Sequence, residues 1–500
     1  MRGTRNPSTG LSPVTMAPQP PAPGLKSCRT TARLPSHSKS RSLRRVSASA
    51  IRVGSRERTV RVVLLWSAVL GSLVDTAGVT TQERAAALAV LAIGVVAALP
   101  AGLRTTMGAA VALWTFVLAT VVSYLRAVVQ PLPLLSWRVM LALAVMLLLV
   151  ALLGFFAMLA PMSEATRRAR LRCVLLSPVV FTILNLALYL IGFHFSTGAA
   201  LPASGSPTSN GGAELLGAIG IGAPRASLPL TSGIDGAGAI AALSLVVSAL
   251  LARRSGRGRL RRFALVGLAC SVVTILLVDS RGPLVWALIA LALIAVLPWL
   301  RRGIGALPLA LPLAPAIILF ALGKFSAFSA GFSRGTSTTS NFASGSGREQ
   351  VWTTVINFLS HVSGELIYGW GAYGQARSGV SYRYAYLFPS QVNPQFLSTH
   401  NGVLQIILDT GLVGLAFFLW LLIRAIDGAF AAHQASRSPE SKALLGGLIV
   451  VGLLGSDEAV PGVATISLLI VLVLMGCAAI RSTAPVRARL RVRGAQLARA

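Results

Sequence analysis

Four side chains in this sequence combine the right chemistry with a position beside apolar segments: Arg281, Arg348, His400 and Asp409. A guanidinium is a planar fork of donors that grips phosphate oxygens in pairs, and an imidazole can take a proton from a hydroxyl near neutral pH. Arg281 lies in VDSRGPL, where Asp279 either neutralises it or leaves it to hold an anion in a cavity. Arg348 lies in SGREQVW and either turns inward or reaches along apolar surface to lipid headgroups. His400 and Asn401 stand where a polar stretch gives way to an apolar one, and a lone histidine there is ordinarily satisfied by backbone. Its company of two arginines favours a proton-transfer role. Asp409, in LDTGLVG, is an acid inside an apolar run, which marks a functional candidate or a carboxylate bonded to Thr410 or a neighbouring helix. GWGAYG, residues 369–374 and including Gly371, offers glycines for close backbone approach beside aromatics, which suits a sugar or phosphate wall.

The elements that must hold these residues are membrane helices. Hydrophobic residues make up 54% of the 500 residues and charged residues 12%, and apolar runs of spanning length recur. The sequence predicts an all-α polytopic protein with about twelve spans, near 60–78, 85–103, 107–125, 138–160, 173–193, 234–252, 263–280, 283–300, 304–322, 402–423, 443–460 and 464–480. Pro308, Pro312 and Pro315 are expected to kink the ninth. Between the ninth and tenth lies a polar interruption, residues 323–400, far longer than a connection requires and therefore the expected seat of function. Residues 194–233 form a second long connection, rich in Gly, Ser and Pro.

The net charge of +31 raises nucleic acid as a partner, but the arginines cluster in short segments between spans and in the two tails. With both termini cytoplasmic, most of the 45 Lys and Arg residues fall on the inner side, ARRSGRGRLRR foremost. Loops 194–233 and 323–400 are then extracytoplasmic, and no nucleic-acid partner is expected. Residues 1–58 are rich in Arg, Ser and Pro and read as a disordered cytoplasmic tail, with an organelle transit peptide as the other reading. Residues 59–480 form the membrane domain, and 481–500 a second basic tail. Cys28, Cys173, Cys270 and Cys477 have neither metal nor redox spacing.

Within the long loop, Ser346-Gly-Arg-Glu349 reads as a capping box opening a helix that ends near His361. Val351, Trp352, Val355, Ile356 and Leu359 would share its apolar face with Arg348 at the centre, opposite Gln350, Thr353, Asn357 and Ser360. His361 falls on the polar face and His194 has no motif around it. The loop carries Glu349 and Glu365 against Lys324, Arg334, Arg348, Arg377 and Arg383. That balance suits an anionic substrate and chemistry without a divalent metal, and no cofactor motif is present.

SRGPLVWALIALALI, GREQVW, GWGAYG and THNGVLQIILDTGLVGL, taken in that order, resemble the O-antigen ligase and polymerase family over about 260–425. The resemblance implies a GT-C-like fold and a glycosyltransferase of the inner membrane, using glycans linked to a polyprenyl diphosphate such as undecaprenyl diphosphate. It implies that Arg281 and Arg348 grip the diphosphate, that His400 activates the acceptor hydroxyl, and that Asn401, Gly371, Asp279 and Asp409 support them. Transfer would be metal-independent and inverting, to a lipid or glycan acceptor, during cell-envelope polysaccharide assembly. Two other readings stay in view. A transporter would carry internal repeats and helices broken at mid-depth, and a non-catalytic family member would keep the fold without the chemistry.

Overall fold

The computed structural model describes residues 57–66, 81–98, 107–129, 137–159, 163–193, 226, 228–230, 234–254, 258–296, 348–387, 397–455, 474–476 and 478. Regular structure among them is helical throughout. The first helix, α1, runs through residues 57–66. It is followed by α2 (Thr81–Ala98), α3 (Met107–Val129), α4 (Trp137–Leu159), α5 (Glu164–Leu190), α6 (Ile234–Arg254), α7 (Arg259–Val278) and α8 (Arg281–Val296). Beyond them come α9 (Arg348–Ser360), three short helices α10 (Glu365–Tyr368), α11 (Gly374–Arg377) and α12 (Val380–Tyr384), then α13 (Gly402–Ser436) and α14 (Pro439–Leu454). The expected ninth span, the C-terminal tail, His194, Cys28, Cys477, and loop residues 323–347 and 388–396 lie outside the described residues.

Among the described residues, four segments are long and apolar enough to cross a membrane: Ala165–Leu190, Gly236–Arg253, Arg259–Val278 and Gly402–Gln434. Shorter apolar helices cover Leu113–Arg126, Ala144–Phe156 and Arg281–Val296. This is a multi-pass membrane protein, because such helices satisfy their own backbone groups in hydrocarbon. α6 and α14 are buried around most of their circumference, so they form the centre of the bundle. α5, α7 and α8 pack around α6, while α13 joins α14 to α3. A ring contact between Phe116 and Phe418, with centroids 5.5 Å apart, marks the α3–α13 seam. Ser271 Oγ donates to Ser244 Oγ at 2.7 Å where α7 crosses α6, an interhelical bond of the kind that holds small-residue crossings together.

Several boundaries differ from the sequence reading for local reasons. Glu57 and Arg58 belong to α1 and not to the preceding tail, because the Glu57 carboxylate accepts from Arg170 Nε at 3.0 Å. α5 begins at Glu164, upstream of the apolar run, since Ser163 caps it by accepting from the Thr166 N–H. The basic connection expected over 161–172 is thus largely the first turns of a spanning helix. α13 likewise continues past Arg424 to Ser436. The described part of the second long loop docks back on the bundle: the Ala226 N–H donates to the Leu277 carbonyl at 2.8 Å, and Leu230 N–H to Asn185 Oδ1 at 2.9 Å.

Contacts along α6, α8 and α14 set which residues share an end of the bundle. Gly238, near the start of α6, lies against Ser280 and Pro283 at the start of α8. Further along, Gly446 of α14 faces Val246 and Leu250 of α6 and Ile294 of α8, and Gly447 faces Leu243 and Val247. α6 and α8 therefore run parallel, with α14 antiparallel to both. The last turn of α14 returns to the level of Gly238 and Pro283. There the Gly455 carbonyl accepts the Gly402 N–H at 2.6 Å. Arg281, at the head of α8, and His400, just before α13, consequently lie at the same end.

Candidate functional site

α13 starts at a tight polar corner. Asn401 caps it, accepting from the Leu404 N–H at 3.0 Å. His400 immediately before has φ of +47°, a left-handed backbone that a residue of its type adopts only when its surroundings hold it there. Those surroundings are specific. The His400 N–H donates to Ser398 Oγ at 3.4 Å, and the Thr399 hydroxyl donates to the Asn401 carbonyl at 2.8 Å. Thr399 is fully buried, and His400 and Asn401 are half-buried.

Nine residues on, α13 breaks. Gly411 has φ of +72° and ψ of −173°, a region open to glycine alone, and a Cβ here would lie 2.1 Å from the Ile367 oxygen. The break frees the carbonyls of Leu408 and Asp409, which an apolar setting does not leave unsatisfied. GWGAYG supplies the donors. The Trp370 N–H bonds the Leu408 carbonyl at 2.8 Å and the Gly371 N–H bonds the Asp409 carbonyl at 3.0 Å. Ser123 Oγ of α3 adds a bond to the Asp409 carbonyl at 3.1 Å. The close approach these glycines permit is to the protein's own helix: a Cβ on Gly369 would meet the α13 backbone at 2.6 Å, and one on Gly374 would meet the Leu408 oxygen at 2.2 Å. A broken helix, the feature expected of a transporter, is thus present, but this break is filled by the chain's own backbone.

Asp409 is fully buried, and its Oδ1 accepts the Gly374 N–H at 2.7 Å and Gln405 Nε2 at 3.0 Å. The Gly374 bond ties the loop to α13 at this acid. Gln405 Nε2 also donates to Gln375 Oε1 at 2.6 Å. Arg126, closing α3, donates from Nη1 to the Gly369 carbonyl at 2.8 Å, and Arg377 Nε donates to the Ala372 carbonyl at 3.0 Å. Burial pushes the Arg377 guanidinium down, the nearby Arg126 charge adds to this, and Asp409 opposes it.

α9 packs on this corner. Val351, Val355 and Leu359 are buried with Val380, Tyr384, Leu397, Leu404 and Leu408. Ile356, expected on the same face, is exposed, because Phe358 and Trp352 flank the buried stripe in its place. Gln350, Thr353, Asn357, Ser360 and His361 are exposed, in keeping with the polar face. Trp352 Nε1 donates to the Thr399 carbonyl at 3.1 Å, so α9 is bonded to the residue next to His400. Arg348 lies one turn before Trp352, on the same side of α9, and is half-buried. Ser346 and the Glu349 side chain of the expected capping box lie outside the described residues. The Tyr384 hydroxyl donates to the Leu397 carbonyl at 2.9 Å, closing the small helical layer over the start of α13, and burial pushes its ionisation well above the ordinary tyrosine range.

Arg281 sits across the same end, in the reversal between α7 and α8. Asp279 ends α7 in a left-handed conformation, with its N–H bonded to the Ile275 and Leu276 carbonyls. Arg281 Nε donates to Asp279 Oδ1 at 3.4 Å, with Asp279 buried and Arg281 half-buried. The anticipated ion pair therefore forms. Thr399, Gln405, Gln375, Ser123 and Arg126 escaped the sequence reading. Gln405 alone had a local signal, a polar amide one turn before Asp409 inside an apolar run.

Residues 266–419 match the family model described as O-antigen ligase. The match runs from within α7 to within α13 and takes in Arg281, Arg348, His400 and Asp409. A comparison with curated proteins gave no match.

Proposed function

We propose that this chain, a member of the O-antigen ligase family through residues 266–419, transfers a glycan from a polyprenyl diphosphate carrier to an acceptor hydroxyl. The observation that carries the reading is the Trp352–Thr399 bond, which seats the Arg348 helix beside His400 at the end of the bundle that also holds Arg281. In this reading Arg281 and Arg348 grip the diphosphate. His400 takes the proton of the acceptor hydroxyl as its oxygen bonds the sugar C1. The bond from C1 to the phosphate oxygen breaks, the polyprenyl diphosphate leaves with the electron pair, and the configuration at C1 inverts.

Negative charge develops on a diphosphate already in contact with fixed guanidinium groups, so the arginines supply the electrostatic stabilisation that preorganised donors give. The twelve-span topology, cytoplasmic termini and extracytoplasmic site belong to the same proposal. So does the placing of the reaction in cell-envelope polysaccharide assembly. Purified protein in detergent, given a polyprenyl-diphosphate glycan and an acceptor without any ion gradient, tests it. Product formation is expected. Failure to transfer, combined with solute uptake by the reconstituted protein, would favour a transporter in its place.

A further inference from the structure

The proton-accepting role assigned to His400 demands more than an imidazole at the right end of the bundle. The ring must be aimed, and its backbone sits in a left-handed conformation that costs free energy unless neighbours enforce it. Asn401 and Ser398 bond this corner from within its own sequence. Thr399 is where non-local support arrives. Its carbonyl accepts from Trp352 of α9 at 3.1 Å, and its hydroxyl lies 3.4 Å from Gln405 Oε1, in the first turn of α13. Gln405 then reaches the loop: its Nε2 donates to Gln375 Oε1 at 2.6 Å and to Asp409 Oδ1 at 3.0 Å, and Asp409 in turn accepts the Gly374 N–H.

Every member of this chain is buried. Thr399, Gln405 and Asp409 are no more than 1% exposed, and Gln375 is 2% exposed. A buried amide whose two N–H groups each have an acceptor, here Gln375 Oε1 and Asp409 Oδ1, has a single workable orientation, which sets its oxygen toward the Thr399 hydroxyl. An amide buried in an otherwise apolar helix costs free energy unless partners satisfy it, as Gln375 and Asp409 do here.

We propose that Gln405 is a positioning residue for His400. Through Thr399 it holds the left-handed corner, and through Gln375 and Asp409 it references that corner to the loop segment 374–377 that docks on the α13 break. The inference rests on the proposed transfer reaction, with His400 as the proton acceptor. It adds a residue that touches neither donor nor acceptor and acts only by where it sets the imidazole.

Transfer by the purified full-length protein distinguishes the two ideas when four variants are compared: Gln405→Leu, Thr399→Val, their double variant and His400→Ala. Misplacement of a reacting group by about 1 Å costs on the order of 10²-fold, so Gln405→Leu is expected to lower kcat by about that factor. KM for the lipid-linked donor should stay within about threefold, since Arg281 and Arg348 are untouched. Thr399→Val, which keeps the volume and loses the hydroxyl, should lower kcat in the same direction. The double variant should be no worse than Gln405→Leu alone, because both break one chain. If Gln405→Leu does not fold, the Thr399→Val result decides by the same kcat-against-KM criterion. A kcat within threefold of wild type in the folded variants, or kcat and donor affinity falling together, overturns the positioning role. Full activity in His400→Ala instead overturns the transfer mechanism itself, leaving the two failures separable.

Discussion

The two ends of the helical bundle treat their arginines differently. At the end formed by α1, the start of α5 and the start of α14, arginines meet carboxylates. Arg170 forks onto both Glu57 oxygens, Arg61 approaches the same acid at 3.7 Å, and Arg172 bonds Glu440 through Nε at 3.1 Å and through Nη2. At the His400 end, Arg126 and Arg377 bond backbone carbonyls, with the Asp409 charge near Arg377, and Arg281 Nε lies 3.4 Å from Asp279 Oδ1. A carbonyl accepts a hydrogen bond without cancelling the charge. The first arrangement ties helices together. The second fixes guanidinium groups in place, which suits the anionic head of the proposed donor.

That contrast can be broken by mutation. The largest loss of activity is expected from His400→Ala: about 10²–10⁴-fold in kcat, the usual contribution of a proton-transfer group. Arg281→Ala and Arg348→Ala should each cost about 10²–10³-fold, comparable to removing a fixed donor from a developing anion. Arg348→Lys should recover only part of this, because an ammonium lacks the fork. Turnover measured on equal amounts of folded protein checks all four variants.

Stability should report the other end. Glu57→Gln leaves Arg170, only 7% exposed, without its carboxylate and should destabilise the protein by about 3 kcal/mol. Thermal unfolding in detergent would register that loss while turnover per folded molecule stays near wild type. Gly411→Ala acts between these extremes. It forces a side chain into the Ile367 carbonyl and a forbidden backbone region, costing about 1–3 kcal/mol in strain alone. Protease cleavage within 348–387 should rise as the loop leaves the α13 break. The smallest effect is that of a metal chelator: transfer supported by guanidinium groups is expected to continue unchanged in excess EDTA.

Legibility in the sequence followed range. Spanning helices were visible because a 20-residue apolar run is a local property, and α3, α4, α6, α7 and α8 lie within a few residues of their expected places. Charged ends differ where Glu57 meets the distant Arg170 in α1 and where Ser163 caps α5 upstream of its apolar run. The buried stripe of α9 was readable from its 3.6-residue period except at Ile356, where Phe358 and Trp352 flank the stripe instead. The α13 break was not readable. Gly411 follows Asp409 and Thr410 inside a longer apolar run, and the partners that make an unwound turn tolerable there, loop residues 369–371 and Ser123, are distant in sequence. GWGAYG showed its capacity for close approach but not its target, and the Gln405–Gln375 pair depends wholly on tertiary placement.

The central claim is a division of labour between two arginines that hold the diphosphate and one histidine that moves a proton. Equilibrium binding of the polyprenyl-diphosphate glycan to purified Arg281→Ala, Arg348→Ala and His400→Ala tests it most directly, read beside single-turnover transfer. Both arginine variants should bind the donor at least tenfold more weakly, while His400→Ala binds it as wild type does yet fails to transfer. Normal donor binding by the arginine variants, or equal weakening in the histidine variant, would contradict the assignment.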